Sequence, residues 1–354
     1  MKNILITGGA GFIGSNFVRY LTRKEDGCKI VNLDNLTYAG SLDNLTDVID
    51  STRHIFVKGD ISDESLVVEI LREHDIDTVI HFAAESHVDR SIMGPMPFIQ
   101  TNLVGTFTIL EATRQIWIER SGFQGKRFHH VSTDEVYGTL EPDDTPFEES
   151  TPYDPRSPYS ATKAGSDHLV RAYFHTYDMP ITISNCSNNY GPYQFPEKLI
   201  PLVILNGLKG KALPIYGDGK QVRDWLFVED HCEAIYKVIS DGQTGETYNV
   251  GGGNQPANLE IVKMICELLD EYMPVSDKHE KLIQFVPDRP GHDRRYAMDY
   301  SKIKSELGWT PRHDLSNGLR RTVEWYISNL DWVEKISSRA GYNEWMDQNY
   351  MKRK

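Results

Sequence analysis

The chain has few cysteines, and their spacing argues against a metal site or a disulfide framework. The 354 residues include 4 cysteines, Cys28, Cys186, Cys232 and Cys266, and no CxxC pair occurs. Widely spaced thiols of this kind are typical of buried, reduced cysteines in a cytoplasmic protein. We therefore expect neither disulfides nor a cysteine-bound metal.

Long apolar runs are also missing. No segment approaches the roughly eighteen consecutive apolar residues of a membrane-spanning helix. The apolar run within Met1–Thr7 is too short for a signal peptide, and it leads directly into a glycine-rich turn. These absences predict a cytoplasmic protein with no membrane partner.

Positive charge is scarce as well. Lys and Arg total 38 against 51 Asp and Glu, which gives a net charge of −13. A reader of the nucleic-acid backbone needs a concentrated positive face. No long basic stripe occurs, so no nucleic-acid partner is expected, whereas a small anionic ligand needs only a few local donors. The hydrophobic content of 39% is that of a soluble globular protein, and the length allows about two domains.

Short apolar segments alternate with amphipathic ones through the first half of the chain. The apolar segments lack a strict period of two, which is typical of parallel strands buried on both faces. Six strands are predicted, at Asn3–Thr7, Lys29–Asp34, His54–Asp60, Thr78–Ala83, Arg127–Ser132 and Ile181–Ser184. Helices are predicted after Gly11, after the N-cap Ser62, and over Pro97–Arg120 and Ser157–Tyr177. This alternation predicts an α/β fold with a Rossmann-type, doubly wound parallel sheet.

The pattern changes from about Asn185 onward, where proline and glycine separate shorter segments. This change predicts a smaller mixed α/β lobe over residues 186–354, after a Rossmann domain over residues 1–185. Val222–Val228 and Glu246–Val250 are candidate strands that return to the large sheet. The Rossmann domain would then include a returning segment at about 222–250.

A glycine-rich turn joins the first strand to the first helix. Gly8, Gly11 and Gly14 form a G-x-x-G-x-x-G pattern, with Phe12 and Ile13 opening the helix. Glycines let the backbone turn tightly and approach a pyrophosphate, which binds at the positive helix N-terminus. The position of the pattern at the start of a βαβ series predicts a dinucleotide site.

The end of the second strand indicates which dinucleotide binds. Asp34 follows Gly14 by twenty residues, and a carboxylate there accepts hydrogen bonds from a ribose diol and repels a 2′-phosphate. No Arg occurs in the following Asn35-Leu36-Thr37, so NAD is expected rather than NADP. Further cofactor contacts are expected at the ends of the third and fourth strands, from Asp60, Ile61, Phe82, Ala83 and Ala84.

Two segments carry the residues for chemistry. Tyr159 and Lys163 are four residues apart, which on a helix places both on one face. An ammonium beside a phenol favours the phenolate, so Tyr159 is expected to serve as a base. Thr133 is followed by the adjacent carboxylates Asp134 and Glu135. Alcohol oxidation needs only the Tyr, the Lys and a hydroxyl, so the acid pair indicates a further step.

With these residues in hand, the chain resembles the extended short-chain dehydrogenase/reductases that act on nucleotide sugars. The resemblance covers nearly the whole chain, and the Thr133–Gly138 run resembles the branch that dehydrates dTDP-glucose at carbons 4 and 6. Further matching segments are 84–89, 188–192, 195–199, 223–225 and 288–292. The helix motif reads YSATK where many relatives read YSASK, a change at Thr162 that does not touch the chemistry.

The resemblance implies a complete reaction with NAD retained. Tyr159, held as phenolate by Lys163, would take the proton of the sugar 4-hydroxyl, and Thr133 would donate a hydrogen bond to the oxygen at C4. Glu135 would remove the C5 proton, and Asp134 would protonate the 6-hydroxyl so that it leaves as water. The two acids therefore need different pKa values. The product would be dTDP-4-keto-6-deoxyglucose, an intermediate of rhamnose-type deoxysugar biosynthesis.

The second lobe is expected to bind the nucleotide sugar. A guanidinium fork matches phosphate oxygens, so Arg223 and Arg289 are candidates for the diphosphate. The resemblance adds a substrate shell that consists of Ser86, Asn188, Lys198, Leu199, Pro214, Ile215, Tyr216, Asn258, Asp288 and His292. It also adds the cofactor residues Thr101 and Asn189, and a homodimer formed through the helices at Pro97–Arg120 and Ser157–Tyr177.

Other possibilities stay open at this point. The 12 histidines contain no H-x-x-x-H, and His129-His130 lies within a strand, so no metal is expected. A 4-epimerase would lack the Asp134-Glu135 pair, and a UDP-sugar decarboxylase would place Ser before the Glu. A non-catalytic NAD sensor would usually lose Tyr159 or Lys163. The sequence does not distinguish thymine from uracil in the nucleotide.

Overall fold

The computed structural model describes residues 1–49, 52–274, 276–288 and 292–339. Within this part of the chain, strands β1 to β11 span Asn3–Thr7, Lys29–Asp34, His54–Lys58, Thr78–His81, Arg127–Thr133, Ile181–Cys186, Asn188–Tyr190, Leu213–Tyr216, Trp225–Phe227, Thr247–Val250 and Ile283–Val286. Helices α1 to α12 span Phe12–Lys24, Glu64–Glu73, Val88–Met93, Met96–Phe98, Thr106–Arg120, Pro158–Tyr177, Leu199–Leu208, Val228–Asp241, Asn258–Tyr272, Ser301–Leu307, Leu315–Ser328 and Leu330–Ser337.

Seven strands form one parallel sheet in the order β10-β6-β5-β4-β1-β2-β3. The strand order reverses between β1 and β4, and ligands of doubly wound sheets bind at such a switch point, beyond the carboxyl ends of the strands. This sheet confirms the predicted Rossmann-type α/β fold. Two small parallel pairs, β7 with β9 and β8 with β11, lie outside the large sheet.

The central strands form because apolar residues fill both faces of the sheet. Ile4 and Ile6 of β1 pack into the core beneath α1 and α8, whereas Leu5, between them, packs into the core beneath α2, α5 and α6. Successive side chains of a strand point to opposite faces. A strand between two helical layers therefore needs an uninterrupted apolar run, which is the pattern the sequence has.

All six predicted strands are present, with small differences at their carboxyl ends. β3 ends at Lys58 and β4 at His81, each two residues early, whereas β5 extends to Thr133 and β6 to Cys186. The predicted return to the large sheet is confirmed for β10 and wrong for β9, which pairs with β7 instead. β9 has only three residues, and α8 begins directly after it.

Two helix predictions need correction. The predicted helix Pro97–Arg120 is α4, then a wider π-helical segment Ile99–Gly105, then α5. Asn102 in the π segment is buried and exchanges hydrogen bonds with the backbone of Glu85, which ties this segment to the loop after β4. The N-cap of α2 is Asp63 rather than Ser62, because the Asp63 carboxylate accepts from the backbone of Leu66 while Ser62 bonds Asp60.

The second half of the chain builds a separate core from α7, α9, α11, α12 and the small strands, with Ile204, Ile265, Leu319 and Trp332 among its buried residues. No helix in the described ranges is long and apolar enough to cross a membrane.

Candidate active site

A single cleft at the carboxyl ends of the large sheet collects most of the predicted site residues. The predicted cofactor residues that line it are Gly8, Gly11, Phe12, Ile13, Gly14, Asp34, Asn35, Thr37, Asp60, Ile61, Phe82, Ala83, Ala84, Ser86, Thr101, Tyr159, Lys163 and Asn189. Leu36 does not line it, since this residue adopts a positive φ of 54° and packs against the core under α1. Thr133, Asp134, Glu135, Asn188 and Lys198 line the same cleft.

The glycine-rich turn is shaped so that no side chain fits at two of its positions. A Cβ on Gly8 would lie 2.6 Å from the backbone nitrogen of Ala83, and φ at Gly8 is +72°. A Cβ on Gly14 would lie 2.3 Å from the carbonyl oxygen of Gly8. The turn therefore packs closely against the loop after β4. The N-terminus of α1, which begins after Gly11, is left open to the cleft. This arrangement fits a dinucleotide pyrophosphate.

Asp34 is held in place at the end of β2. Its Oδ2 accepts from the backbone of Ala10 at 2.9 Å, and its Oδ1 accepts from the backbone of Leu36 at 2.8 Å. Burial raises the pKa of Asp34, and these two backbone hydrogen bonds oppose that shift. The carboxyl is fixed at the edge of the cleft with further lone pairs for a ribose diol, so these residues fit NAD.

Thr133, Asp134 and Glu135 occupy the carboxyl end of β5. Thr133 ends the strand, and a single 3-10 turn begins at Asp134. Thr133 Oγ1 donates to Asp134 Oδ1 at 3.2 Å and accepts from the backbone nitrogen of Glu135 at 3.3 Å. The hydroxyl is thereby held against the Asp134 carboxyl, and Glu135 is the next residue of the same turn.

Asp134 is set up to be a protonated acid. Its side chain is 1% exposed, and burial is the main reason that its pKa lies well above the ordinary value. The nearby carboxylates of Glu135 and Asp224 raise it further, and Arg223 opposes them. Glu135 is less buried than Asp134. The neighbouring carboxyls thus lie in different environments, which suits one acid and one base.

Tyr159 lies in the first turn of α6, directly after the Ser157 capping box, and its ring is buried. Burial raises its pKa well above 10, Glu135 and Cys186 raise it further, and a hydrogen bond with Thr133 lowers it. The expectation that Lys163 brings the phenol pKa toward neutrality stays a prediction for the complex with a dinucleotide. Desolvation and a nearby carboxylate dominate, and both disfavour a phenolate.

Lys163 contacts two residues of β5, Val131 and His130. Its Nζ donates to the carbonyl oxygen of Val131 at 2.9 Å and lies 3.4 Å from His130 Nε2. Burial lowers the pKa of Lys163, and Asp167 on the same helix opposes this shift. The residue is 4% exposed and lines the cleft.

Several of the remaining substrate residues lie at the small sheet β8–β11, and none of the eight named below lines the cleft. Tyr216 ends β8, and its ring centroid lies 6.2 Å from that of His292. His292 Nδ1 lies 2.6 Å from Asp288 Oδ1. The predicted substrate residues that do not line the cleft are Leu199, Pro214, Ile215, Tyr216, Arg223, Asn258, Asp288 and His292. Arg289 lies outside the described residues.

Arg223 lies closer to the catalytic acid than its predicted role suggests. Its guanidinium donates to the carbonyl oxygens of Val222 and Asp293, both at 2.8 Å, and stacks 4.4 Å from the centre of the Tyr296 ring. It also lowers the pKa of Asp134. A diphosphate contact by Arg223 stays a prediction.

Several residues of the cleft were not predicted from the sequence. They are Tyr38, Ala39, Gly40, Glu85, Ser132, Cys186, Ser187, Gln194, Phe195 and Glu197, together with Leu33, Gly59 and Val131. Glu85, Phe195 and Glu197 belong to segments that resemble the nucleotide-sugar family. Because they adjoin the predicted residues Ser86 and Lys198 in these segments, the sequence could have identified them. Cys186 ends β6, next to β5, and the carboxyl ends of parallel strands meet at one edge of the sheet.

The described residues contain no group of three or more His, Cys, Asp or Glu side chains that could hold a metal ion.

The fold and the site together define an NAD(P)-dependent short-chain dehydrogenase/reductase that carries an extra acid pair. The family model of the GDP-mannose 4,6 dehydratases matches residues 5–322, and the chain belongs to this family.

Individual relatives narrow the comparison. The chain is 58% identical over 343 residues to a dTDP-glucose 4,6-dehydratase of Xanthomonas campestris pv. campestris, across 95% of this chain and 96% of the relative. The Bacillus anthracis dTDP-glucose 4,6-dehydratase in complex with NAD superposes with a TM-score of 0.86 at 45% identity, covering 95% of this chain and 100% of that one. The Streptomyces venezuelae enzyme of the same name, solved with NAD and dTDP bound, gives a TM-score of 0.86 at 46% identity, covering 94% and 99%.

Proposed function

We propose that this chain is an NAD-dependent hydro-lyase that converts dTDP-glucose to dTDP-4-keto-6-deoxyglucose and water. The observation that carries the proposal is the pairing, in one cleft, of Tyr159 and Lys163 with an acid pair whose first member, Asp134, is buried with a raised pKa. Oxidation at C4 requires no such acid. Loss of a poor leaving group from C6 requires one.

The oxidation half of the reaction is assigned to α6 and the end of β5. Tyr159 accepts the proton of the 4-hydroxyl, Lys163 supports the phenolate, and the Thr133 hydroxyl donates to the oxygen at C4. Bound NAD supplies a hydride acceptor for C4 and, once reduced, a hydride donor for C6. The glycine turn of Gly8, Gly11 and Gly14 and the carboxylate of Asp34 are the residues that would hold it.

The elimination half is assigned to the acid pair. The ketone at C4 acidifies the proton at C5; Glu135 removes it and returns a proton to C5 when C6 is reduced. Asp134, protonated through burial and its like-charged neighbours, gives its proton to the departing 6-hydroxyl. Base and acid act on adjacent carbon atoms, which is why adjacent carboxyl groups on one turn suit the task.

The second lobe is proposed to bind the nucleotide. Lys198 at the N-terminus of α7 lines the cleft beside Asn188, and the group of Tyr216, Asp288 and His292 lies at the small sheet. Arg223, Leu199, Pro214, Ile215 and Asn258 belong to the same proposed shell.

The direct test is incubation of the purified protein with dTDP-glucose. We expect the 4-keto-6-deoxy product, detected by mass spectrometry as the loss of 18 mass units (one water), with no net consumption of NAD. A parallel reaction with UDP-glucose tests whether the enzyme prefers the thymine nucleotide to the uracil nucleotide. Formation of dTDP-galactose without loss of water would favour the 4-epimerase alternative and overturn the proposal.

A cytoplasmic homodimer is proposed as the working form. Large apolar side chains are exposed along α3 to α5, where Met93 is 65%, Met96 67% and Phe107 48% exposed. Several large apolar side chains exposed on neighbouring helices are typical of an association surface. Phe107→Glu should give a monomer in analytical ultracentrifugation, whereas Leu330→Glu, at an equally exposed apolar residue on α12, should stay dimeric. A monomeric wild type would contradict this part of the proposal.

A further inference from the structure

A fully buried carboxylate lies one helical turn beyond Lys163 and takes no part in the proposed reaction. Asp167 is 0% exposed on α6. Its Oδ2 accepts from Ser132 Oγ at 2.8 Å and from Tyr153 OH at 2.9 Å. Burying a carboxylate is costly unless it is hydrogen-bonded and paired with a positive charge. The question is therefore which positive charge Asp167 balances.

Asp167 and Lys163 both approach one nitrogen of His130. Asp167 Oδ1 lies 3.2 Å from His130 Nε2, and the same nitrogen lies 3.4 Å from Lys163 Nζ. Burial, and next the charge of Lys163, lower the pKa of His130 to about 4, so His130 is neutral near pH 7. Lys163 and Asp167 are four residues apart on one helix and share a face. Lys163 is therefore a positive charge close to Asp167, whereas Arg171 donates to Tyr153, which in turn donates to Asp167.

The surroundings of Lys163 contain several titratable groups. They are His81 on β4, His130 on β5, Cys186 on β6, and Tyr159 and Asp167 on α6, with Tyr153 and Arg171 on the far side of Asp167. Burial raises the pKa of the Cys186 thiol and lowers that of His81, so both are neutral. Asp167, whose pKa is lowered, is an anion. Burial alone would favour neutral Lys163, and Asp167 opposes this.

We propose that Asp167 is a positioning residue for Lys163: from the next turn of α6, and beside the same imidazole nitrogen of His130, its negative charge holds the lysine side chain in this pocket as an ammonium ion. This inference rests on the proposed function only in that a charged Lys163 supports Tyr159. It assigns a purpose to the buried network of Ser132, Tyr153 and His130, which would otherwise be a costly polar cluster in the core.

The ionisation of Lys163 can be measured without any reaction. Carbon-13 lysine labelling, with the Lys163 signal identified by its loss in Lys163→Met, gives the pKa by NMR titration. Asp167→Asn should lower this pKa by one unit or more, which is about a tenfold change in the proton equilibrium. Asp167→Glu restores the charge and should return the pKa toward the wild-type value. A Lys163 pKa that is the same in wild type and Asp167→Asn would overturn the proposal.

Kinetics separate this role from a merely structural one. In Asp167→Asn, single-turnover hydride transfer should decline at a lower pH than in wild type, with an unchanged KM for dTDP-glucose. The matched control is Asp230→Asn, which alters another buried carboxylate that faces a histidine, His313, at 2.8 Å outside the cleft. This control should keep the wild-type pH profile. Should the wild type not act on dTDP-glucose, the proposed function fails, and the NMR titration still decides the role of Asp167.

A double-mutant cycle covers the case in which Asp167→Asn folds poorly. Removing one partner of a buried pair leaves an uncompensated charge, whereas removing both does not. Lys163→Met with Asp167→Asn should therefore melt at a higher temperature than the sum of the single losses predicts. Strictly additive losses would overturn the pairing.

Discussion

The carboxyl of Asp224, directly before β9, raises the pKa of Asp134 at the end of β5. Asp224 is itself fully buried and accepts from the backbone nitrogens of Gly252 and Asn254 at 3.1 and 3.2 Å. Burial raises the pKa of Asp224 to about 7. The second half of the chain thus contributes to the protonation of the catalytic acid, and it does so at a cost in stability at alkaline pH.

This relationship predicts how stability depends on pH. A carboxyl whose pKa is raised in the folded protein binds its proton more tightly there than in the unfolded chain. The free energy of unfolding therefore falls as pH rises from the ordinary pKa of Asp224, near 4, towards its pKa in the folded protein, about 7. Asp224→Asn removes that loss. Between pH 5 and pH 8 the melting temperature of wild type should fall more steeply than that of Asp224→Asn. Parallel curves would contradict the assignment.

Tyr159→Phe tests the base at C4. Loss of the hydroxyl should slow single-turnover hydride transfer by roughly two to four orders of magnitude, the usual contribution of a general base. The control is Tyr173→Phe, on the same helix but bonded to Glu111 at 2.9 Å away from the cleft, which should transfer hydride normally. Near-normal transfer in Tyr159→Phe would remove Tyr159 from the mechanism.

Asp34→Ala tests the cofactor assignment. Without the carboxylate, NAD loses its ribose contact and NADP loses a source of repulsion. NAD should bind more weakly, and the preference over NADP should narrow, as measured by isothermal titration with both dinucleotides. A wild type that prefers NADP, or that releases stoichiometric NADH during turnover, would contradict retained NAD.

Glu135→Gln should separate oxidation from elimination. The amide keeps the shape but cannot remove the C5 proton, so enzyme-bound NADH should appear while loss of water becomes slow. Glu135 also raises the pKa of Tyr159, so hydride transfer in this variant should reach its maximum at a lower pH than in wild type. Stopped-flow absorbance at several pH values measures both effects. Dehydration at the normal rate would exclude Glu135 as the base.

The strands of the large sheet could be predicted from the sequence, because each buried parallel strand is marked by its own apolar run. The sequence was insufficient for β9, since a three-residue strand takes its partner from long-range packing rather than from its own pattern. The π-helical turn at Ile99–Gly105 depends on the bonds of Asn102 to a distant loop, which no helical periodicity reveals.

The candidate site likewise has features that the sequence predicts and features that it does not. The cleft residues follow from motifs at the ends of strands, because parallel topology brings those ends together. The pKa of Tyr159 cannot be predicted from the sequence in this way. The four-residue spacing predicts that Lys163 shares a helix face with Tyr159, but it does not predict that the Lys163 ammonium contacts Val131 and His130. Desolvation of the phenol is likewise a property of the whole fold and not of the motif.

Asp134→Asn tests the acid at C6. The amide keeps the size of the carboxyl but cannot release a proton, so the variant should accumulate bound NADH and stall before water leaves. A 6-fluoro analogue of dTDP-glucose needs less protonation of its leaving group, and the variant should lose much less activity with it than with dTDP-glucose. Wild type in deuterated water should place deuterium at C5, because Glu135 exchanges its proton before C6 is reduced. Equal losses with both substrates, or a fully protiated C5 by NMR, would show that Asp134 and Glu135 do not share the elimination in this way.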